Sequence, residues 1–135
     1  MNHEIPHSIG DLTYKRKRLD NDNLRETWRW NCMLHSVDDH PAEIFTDSNA
    51  NIISRGWYTQ GVRHRDSWRG PALISDHYSR YFSAGLTHRR DGPAIEYTDG
   101  DKGWWLHNQH LSFDQWLDEV NISDENKVMM KLTYG

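Results

Sequence analysis

A chain of 135 residues has the length of one ordinary domain and can bury about two thirds of the surface that its unfolded form exposes. Its 16 basic and 20 acidic residues leave a formal charge of -4, so no overall field recruits long nucleic acid or an anionic membrane. No apolar run approaches the ~20 residues that span a bilayer, no signal-like segment opens the chain, and the single cysteine, Cys32, has no internal disulfide partner, so a soluble, cytoplasmic, non-membrane protein is expected.

In chain order, His7-Ser8-Ile9-Gly10-Asp11 matches His35-Ser36-Val37-Asp38-Asp39, so residues 1–27 read as a degenerate half-copy of a unit that recurs further on. Lys15-Arg16-Lys17-Arg18 is a compact basic run within it. The first full copy opens at Trp28-Arg29-Trp30 and passes through His35 to Asp39-His40-Pro41-Ala42, with Cys32 where later copies carry Gly. The second runs from Trp57-Tyr58 through Gly61 and His64-Arg65 to Gly70-Pro71-Ala72, with an insertion around Ser67-Trp68-Arg69. The third is the cleanest: Tyr81-Phe82, Gly85, His88-Arg89, then Asp91-Gly92-Pro93-Ala94. The last starts at Trp104-Trp105, has Asn108 at the Gly position and stops at Leu111.

Gly and Asn tolerate the positive φ of tight hairpin turns, so turns are expected at Gly61, Gly85 and Asn108. Pro71 and Pro93 cannot sit in a central strand. Ala94-Ile95-Glu96-Tyr97 alternates as a half-buried strand does, and Thr98-Asp99-Gly100-Asp101 turns the chain back. An isolated hairpin is not stable, so the copies must pair edge to edge and bury a shared face of the 7 Trp, 6 Tyr and 3 Phe. Ser112-Phe113-Asp114-Gln115 reads as a capping box opening a helix through Trp116, Leu117 and Val120. Ser123-Asp124-Glu125 opens a second, with Val128, Met129 and Leu132 along one stripe. The expected fold is mainly β: an antiparallel meander of repeated β-hairpins forming one sheet over residues 28–111, capped by short C-terminal helices over 112–135, a single α+β domain.

The pattern Trp-aromatic-x-x-Gly-x-x-His-Arg-x-Asp-Gly-Pro-Ala, best carried by residues 81–97 and 104–117, resembles the MORN-like repeats of large bacteriophages and giant viruses. The ending Leu111-Ser112-Phe113-Asp114-Gln115-Trp116-Leu117 is similar to the way such arrays finish. The resemblance spans residues 28–120 and implies an architecture and a viral origin, but no activity. Cys32, the Ser67-Trp68-Arg69 insertion and the worn N-terminus depart from it, which points to a first half diverged toward one target.

His35, His64 and His88 recur at one position. They read as local turn or stacking contacts with a neighbouring Asp as partner, the alternative being a row of metal ligands; with one Cys and no paired His of finger spacing, neither metal nor cofactor is expected. His35, Asp38, Asp39, His40 and Glu43 are the densest acid–base set and would serve a metal-dependent hydrolase or nuclease, although repetition already accounts for Asp39-His40-Pro41-Ala42. Arg63, Arg65, Arg69, Arg89 and Arg90 beside rings would let a nucleotide dock, extending the run at Lys15 to Arg18; the alternative is a solvated surface balanced by Asp20, Asp22 and Glu26. Trp68 lies outside the recurring aromatic positions. Beside Arg69 it has the composition of an interface hot spot, with burial as an extra core plug as the alternative.

These residues point to a binding protein without catalysis, contacting its partner through Trp68, Arg69, Arg65, Arg89 and Arg63. With the resemblance, the expected function is that of a phage accessory protein that binds and inhibits or redirects a host protein, a defence component included. A small-ligand binder, such as a sponge for a signalling nucleotide, is the second reading and the hydrolase the third. An exposed sheet edge makes homo-oligomers a further expectation.

Overall fold

A computed structural model describes residues 11–135, so the half-copy signal at His7 to Gly10 lies outside the described residues. The strands are, in chain order, Leu12–Arg18 (β1), Leu24–Trp30 (β2), Met33–Leu34 (β3), Glu43–Thr46 (β4), Ile52–Gly56 (β5), Tyr58–Thr59 (β6), Val62–Arg63 (β7), Leu73–Ser75 (β8), Tyr78–Arg80 (β9), Phe82–Ser83 (β10), Leu86–Thr87 (β11), Ile95–Tyr97 (β12), Lys102–Leu106 (β13) and Gln109–Leu111 (β14). Helices Phe113–Glu119 (α1) and Asp124–Tyr134 (α2) follow. The main sheet is an antiparallel meander in the order β1-β2-β4-β5-β8-β9-β12-β13-β14, with β3 attached to β2. This is the expected fold class.

Two kinds of turn build it. At residues 31–32, 60–61, 84–85 and 107–108 both central residues have positive φ, from 47° at Gln60 to 83° at Gly85, and the flanking residues pair directly. These are type I′ hairpins, whose twist matches that of the strands. Cys32 occupies the left-handed position at φ 68° that Gly61 and Gly85 fill elsewhere. The second kind closes with the N–H of Leu19, Asp47 and Tyr97 donating to the carbonyl four residues on, through positive φ at Asp22, Ala50 and Gly100.

The two middle hairpins, β6-β7 and β10-β11, do not extend the main sheet as the sequence pattern suggests but form small separate ladders, whereas β3 and β14 stay joined to it. The aromatic residue between them is the reason. The N–H groups of Trp28, Trp57 and Tyr81 donate to the carbonyls of Ala42, Ala72 and Ala94 in or beside the main sheet, while their carbonyls accept from His35, His64 and His88 in the side ladder. The chain therefore forks at each ring. The three alanines are 0% exposed, so their methyl groups fill the space available at each fork. Pro41, Pro71 and Pro93 precede them outside any strand.

The apolar core gathers at the C-terminal end. Trp104, Leu106 and Leu111 from β13 and β14 bury against Trp116, Leu117 and Val120, with Phe113, Ile122, Met130 and Tyr134 packed around them. Ser112 caps α1 through the expected box, its side chain accepting from the Gln115 N–H while Gln115 Oε1 accepts from the Ser112 N–H. In α2 the expected stripe of Val128, Met129 and Leu132 is exposed, Leu132 by 76%. Met130 and Tyr134 face inward instead, because that side of the helix brings the Tyr134 ring to 5.1 Å from Trp104.

Candidate functional site

The recurring histidines link one copy to the next. Nδ1 of His35 accepts the N–H of Gln60 at 3.0 Å, that of His64 the N–H of Ala84 at 2.9 Å, and that of His88 the N–H of His107 at 2.9 Å. In every case the donor is the first left-handed residue of the following I′ turn. Only a neutral imidazole offers this acceptor. The structural role is thus a bond across copies, and the neighbouring Asp is a partner only at His64, whose Nε2 lies 3.3 Å from Asp66.

A pH dependence follows. Burial holds His35 below the ordinary imidazole value of 6.5, and burial with the nearby charges of His107 and Arg90 does the same for His88. A base whose folded pKa is depressed contributes stability that is complete above its unfolded pKa and is lost as pH falls from there through the folded pKa. The melting temperature should therefore be flat above about pH 7 and decline from about pH 6.5 toward pH 5. The variant His35→Asn/His88→Asn, whose amide oxygens replace Nδ1 as acceptors without titrating, should flatten the decline. Arg65 holds the Asp39 carboxyl below its ordinary value of 3.8, so Asp39 lies outside this window.

The arginines of the expected contact set have unequal duties. Arg65 lies over Trp57 at 3.9 Å and Arg89 over Tyr81 at 4.0 Å. Arg65 makes a bidentate pair with Asp39 at 3.0 and 2.8 Å and donates to the Pro71 carbonyl at 3.0 Å. Arg89 pairs with Asp91 and Glu96 and donates to the Pro93 carbonyl at 3.0 Å. The glycine beside each proline makes room: a Cβ on Gly70 or Gly92 would lie 2.8 Å from the guanidinium. Arg63 stands apart, between the rings of Tyr58 and Phe82 at 4.8 and 5.5 Å, and donates to the Tyr58 hydroxyl. Arg80, which the sequence pattern does not single out, continues that stack from Phe82 to Trp105. Arg63, Arg65 and Arg89 therefore hold the fold.

Trp68 does not. The insertion forms a turn in which the N–H groups of Arg69 and Gly70 donate to the carbonyls of Asp66 and Ser67, and Trp68 sits on its crest, 74% exposed. The sequence left surface and core open for this ring; it is on the surface. Arg69 stacks on it at 4.4 Å. Below lies a cleft of about 410 Å³ between the second and third copies, lined by Arg65, Trp68, Phe82, His88, Arg89 and Arg90 among others. The cleft thus gathers Trp68, Arg65 and Arg89 with rings and with Arg90, the last from the arginine set that the sequence marks for nucleotide docking. Around it Arg65 and Arg69 share Asp39, Arg89 binds Asp91 and Glu96, Asp66 lies beside His64, and Arg90 donates to the Asn121 carbonyl, so the cleft is mixed in charge.

The acid–base set around His40 is held by separate partners. His35 accepts from Gln60, Asp39 binds Arg65, Glu43 binds Arg25 at 2.7 Å, and the His40 ring packs edge-on against Trp28 at 4.5 Å. Among the described residues no three His, Cys, Asp or Glu side chains gather to hold a metal ion, and no helix is long and apolar enough to cross a membrane.

Fold and cleft together define an antiparallel β-meander with cross-copy imidazole bonds and an exposed indole over a ring-lined concavity. No family model matches the chain, and comparison with curated proteins and with solved structures gives no match.

Proposed function

We propose that this chain is a non-catalytic binding protein that captures a partner protein at the rim of the Trp68 cleft. The observation that carries the reading is Trp68 itself, 74% exposed on a turn fixed by two backbone bonds and braced by Arg69. An indole left in water adds little to folding, whereas a rigid ring beside arginine above a concavity is the composition of a binding hot spot. The even balance of cations and carboxylates suits a mixed protein surface better than a polyanion. In the form that the resemblance to MORN-like phage proteins suggests, the chain is a phage accessory protein acting in the host cytoplasm, and its target is a host protein such as a defence component.

The test is a pull-down from host lysate with the wild type and with Trp68→Ala/Arg69→Ala. Retention of the specific partner should drop at least about tenfold in the variant, with circular dichroism and melting temperature unchanged. Equal retention, or an unfolded variant, removes Trp68 from the interface. A second reading, a nucleotide binder, is favoured by Arg90, which among the described residues pairs with no carboxylate, and by a cleft large enough for one nucleotide. A thermal shift with nucleotides that Trp68→Ala abolishes would select it.

A further inference from the structure

The opposite end of the sheet carries a surface that the Trp68 cleft does not explain. β1 is an edge strand whose seven residues are all exposed, and its pairing among the described residues is with β2 alone. The direction of its backbone groups follows from the register. Asp11 and Asn31 form a bonded pair at one end and Leu19 and Asn23 at the other, so Thr13, Lys15 and Lys17 direct their N–H and C=O groups toward β2. Leu12, Tyr14, Arg16 and Arg18 direct theirs outward. The strand therefore presents alternating donors and acceptors along its length, ready for one more strand.

Charge selects the occupant. Lys15 and Lys17 project from one face and Arg16 and Arg18 from the other, and among the described residues none of the four forms an ion pair. Glu26, opposite Arg16 in the register, accepts from the Tyr14 hydroxyl at 2.6 Å, and Arg18 donates to the Asp22 carbonyl at 3.2 Å. This concentration of positive charge stands on a chain whose formal charge is -4. Antiparallel pairing of two β1 strands in full register would oppose Lys15 to Lys15 and bring eight cations of two copies onto one seam, which makes an acidic strand the better occupant of that edge. Phosphates would satisfy the cations and the outward N–H groups, but they have no donors for the outward carbonyls. An extended acidic peptide satisfies all three. Edge lysines also guard against aggregation, yet that duty needs no such row of cations on both faces.

We propose that β1 is a docking edge for an acidic, extended segment of a partner protein, which adds to the sheet as a further strand with its carboxylates on Lys15, Arg16, Lys17 and Arg18. This site is independent of the Trp68 cleft and stands if that reading fails.

The probe is a synthetic peptide alternating Glu with Val, of the length of β1 and with blocked ends, titrated into the full chain at low salt. Its binding should shift the amide signals of β1 above all and slow hydrogen exchange at Tyr14, Arg16 and Arg18. N-methylation at alternate peptide bonds, which keeps the charge and removes the backbone donors, should weaken binding at least about tenfold, as should Lys15→Glu/Lys17→Glu. An N-methylated peptide that binds as well as its parent would overturn the proposal and leave a purely electrostatic polyanion surface. So would signal shifts centred away from β1. If the charge-reversed variant does not fold, the N-methyl comparison on the wild type still decides.

Discussion

Replacing Trp116 by Ala should remove about 3–5 kcal/mol of stability, the largest loss expected of any single truncation in this chain. Its side chain is 0% exposed and lies 4.7 Å from Trp104, stacked on Phe113 at 6.4 Å. It also donates its indole N–H to the Arg89 carbonyl at 3.1 Å, tying α1 to the third copy. Truncation thus leaves a cavity at the centre of the main apolar cluster and orphans a carbonyl. With total stability on the order of 5–15 kcal/mol, the melting temperature should fall by at least about 10 °C. Trp116→Phe separates the two contributions, since it keeps most of the ring and loses the donor; about 1–2 kcal/mol is expected. Chemical denaturation of the three proteins measures both differences. A loss below about 1 kcal/mol for Trp116→Ala would show that the cluster is not the main anchor of the sheet.

The turns were legible because the chemistry of a left-handed turn admits few residues. Gly61, Gly85 and Asn108 announced their hairpins, and Cys32 was placed by analogy with them. Of the main-sheet strands, the alternation at Ala94 to Tyr97 marks one, Ile95–Tyr97; others leave no such mark. Ile52–Gly56 and Tyr78–Arg80 are too short for a period to emerge, and the stronger pattern lies in the rings that follow them. Ile52–Gly56 and Lys102–Leu106 do carry a steric mark: a Cβ on Gly56 would lie 3.3 Å from the Tyr58 ring, and one on Gly103 would lie 3.1 Å from that of Trp105. The α2 stripe went the wrong way because that helix has apolar residues on two sides, and periodicity does not say which of them faces Trp104.

For the candidate site, departure from the pattern was the better guide. Trp68 stands out because no other copy has a ring at its place, and it is the ring that the fold leaves in water. The arginines recur because the fold uses them. Their charge was visible in the sequence, but the partner of Arg65 is not: Asp39 lies 26 residues earlier, in the preceding copy. The insertion explains this borrowing. It puts Arg69 before Gly70-Pro71, where the third copy has Asp91, so the second copy has no acid of its own at that place.

The first copy contains a natural experiment on the same arrangement, and it leads to the second large prediction. There Ser36 stands where the later copies have Arg65 and Arg89, and His40 stands where they have Gly70 and Gly92. The His40 ring covers Trp28 as the guanidinium groups cover Trp57 and Tyr81, and its Nδ1 donates to the Pro41 carbonyl at 2.7 Å, as Arg65 and Arg89 do to Pro71 and Pro93. One side chain or the other fills a single place above the ring. In the third copy, Gly92→His alone should cost about 2–4 kcal/mol, because the new side chain meets an Arg89 guanidinium pinned by two carboxylates and only 14% exposed. Arg89→Ser alone should cost a similar amount, by uncovering Tyr81 and leaving the Pro93 carbonyl and Glu96 without their donor. The double variant should cost less than the sum by at least about 1 kcal/mol, since the imidazole then enters the space that the guanidinium left. Adding Glu96→Ile, the residue that Ile44 supplies in the first copy, should recover more of the loss by removing the stranded carboxylate. Urea denaturation of the full cycle reads the coupling. Strict additivity would mean that His40 and the arginines are not alternative occupants of one site, and that the likeness of the copies ends at the backbone.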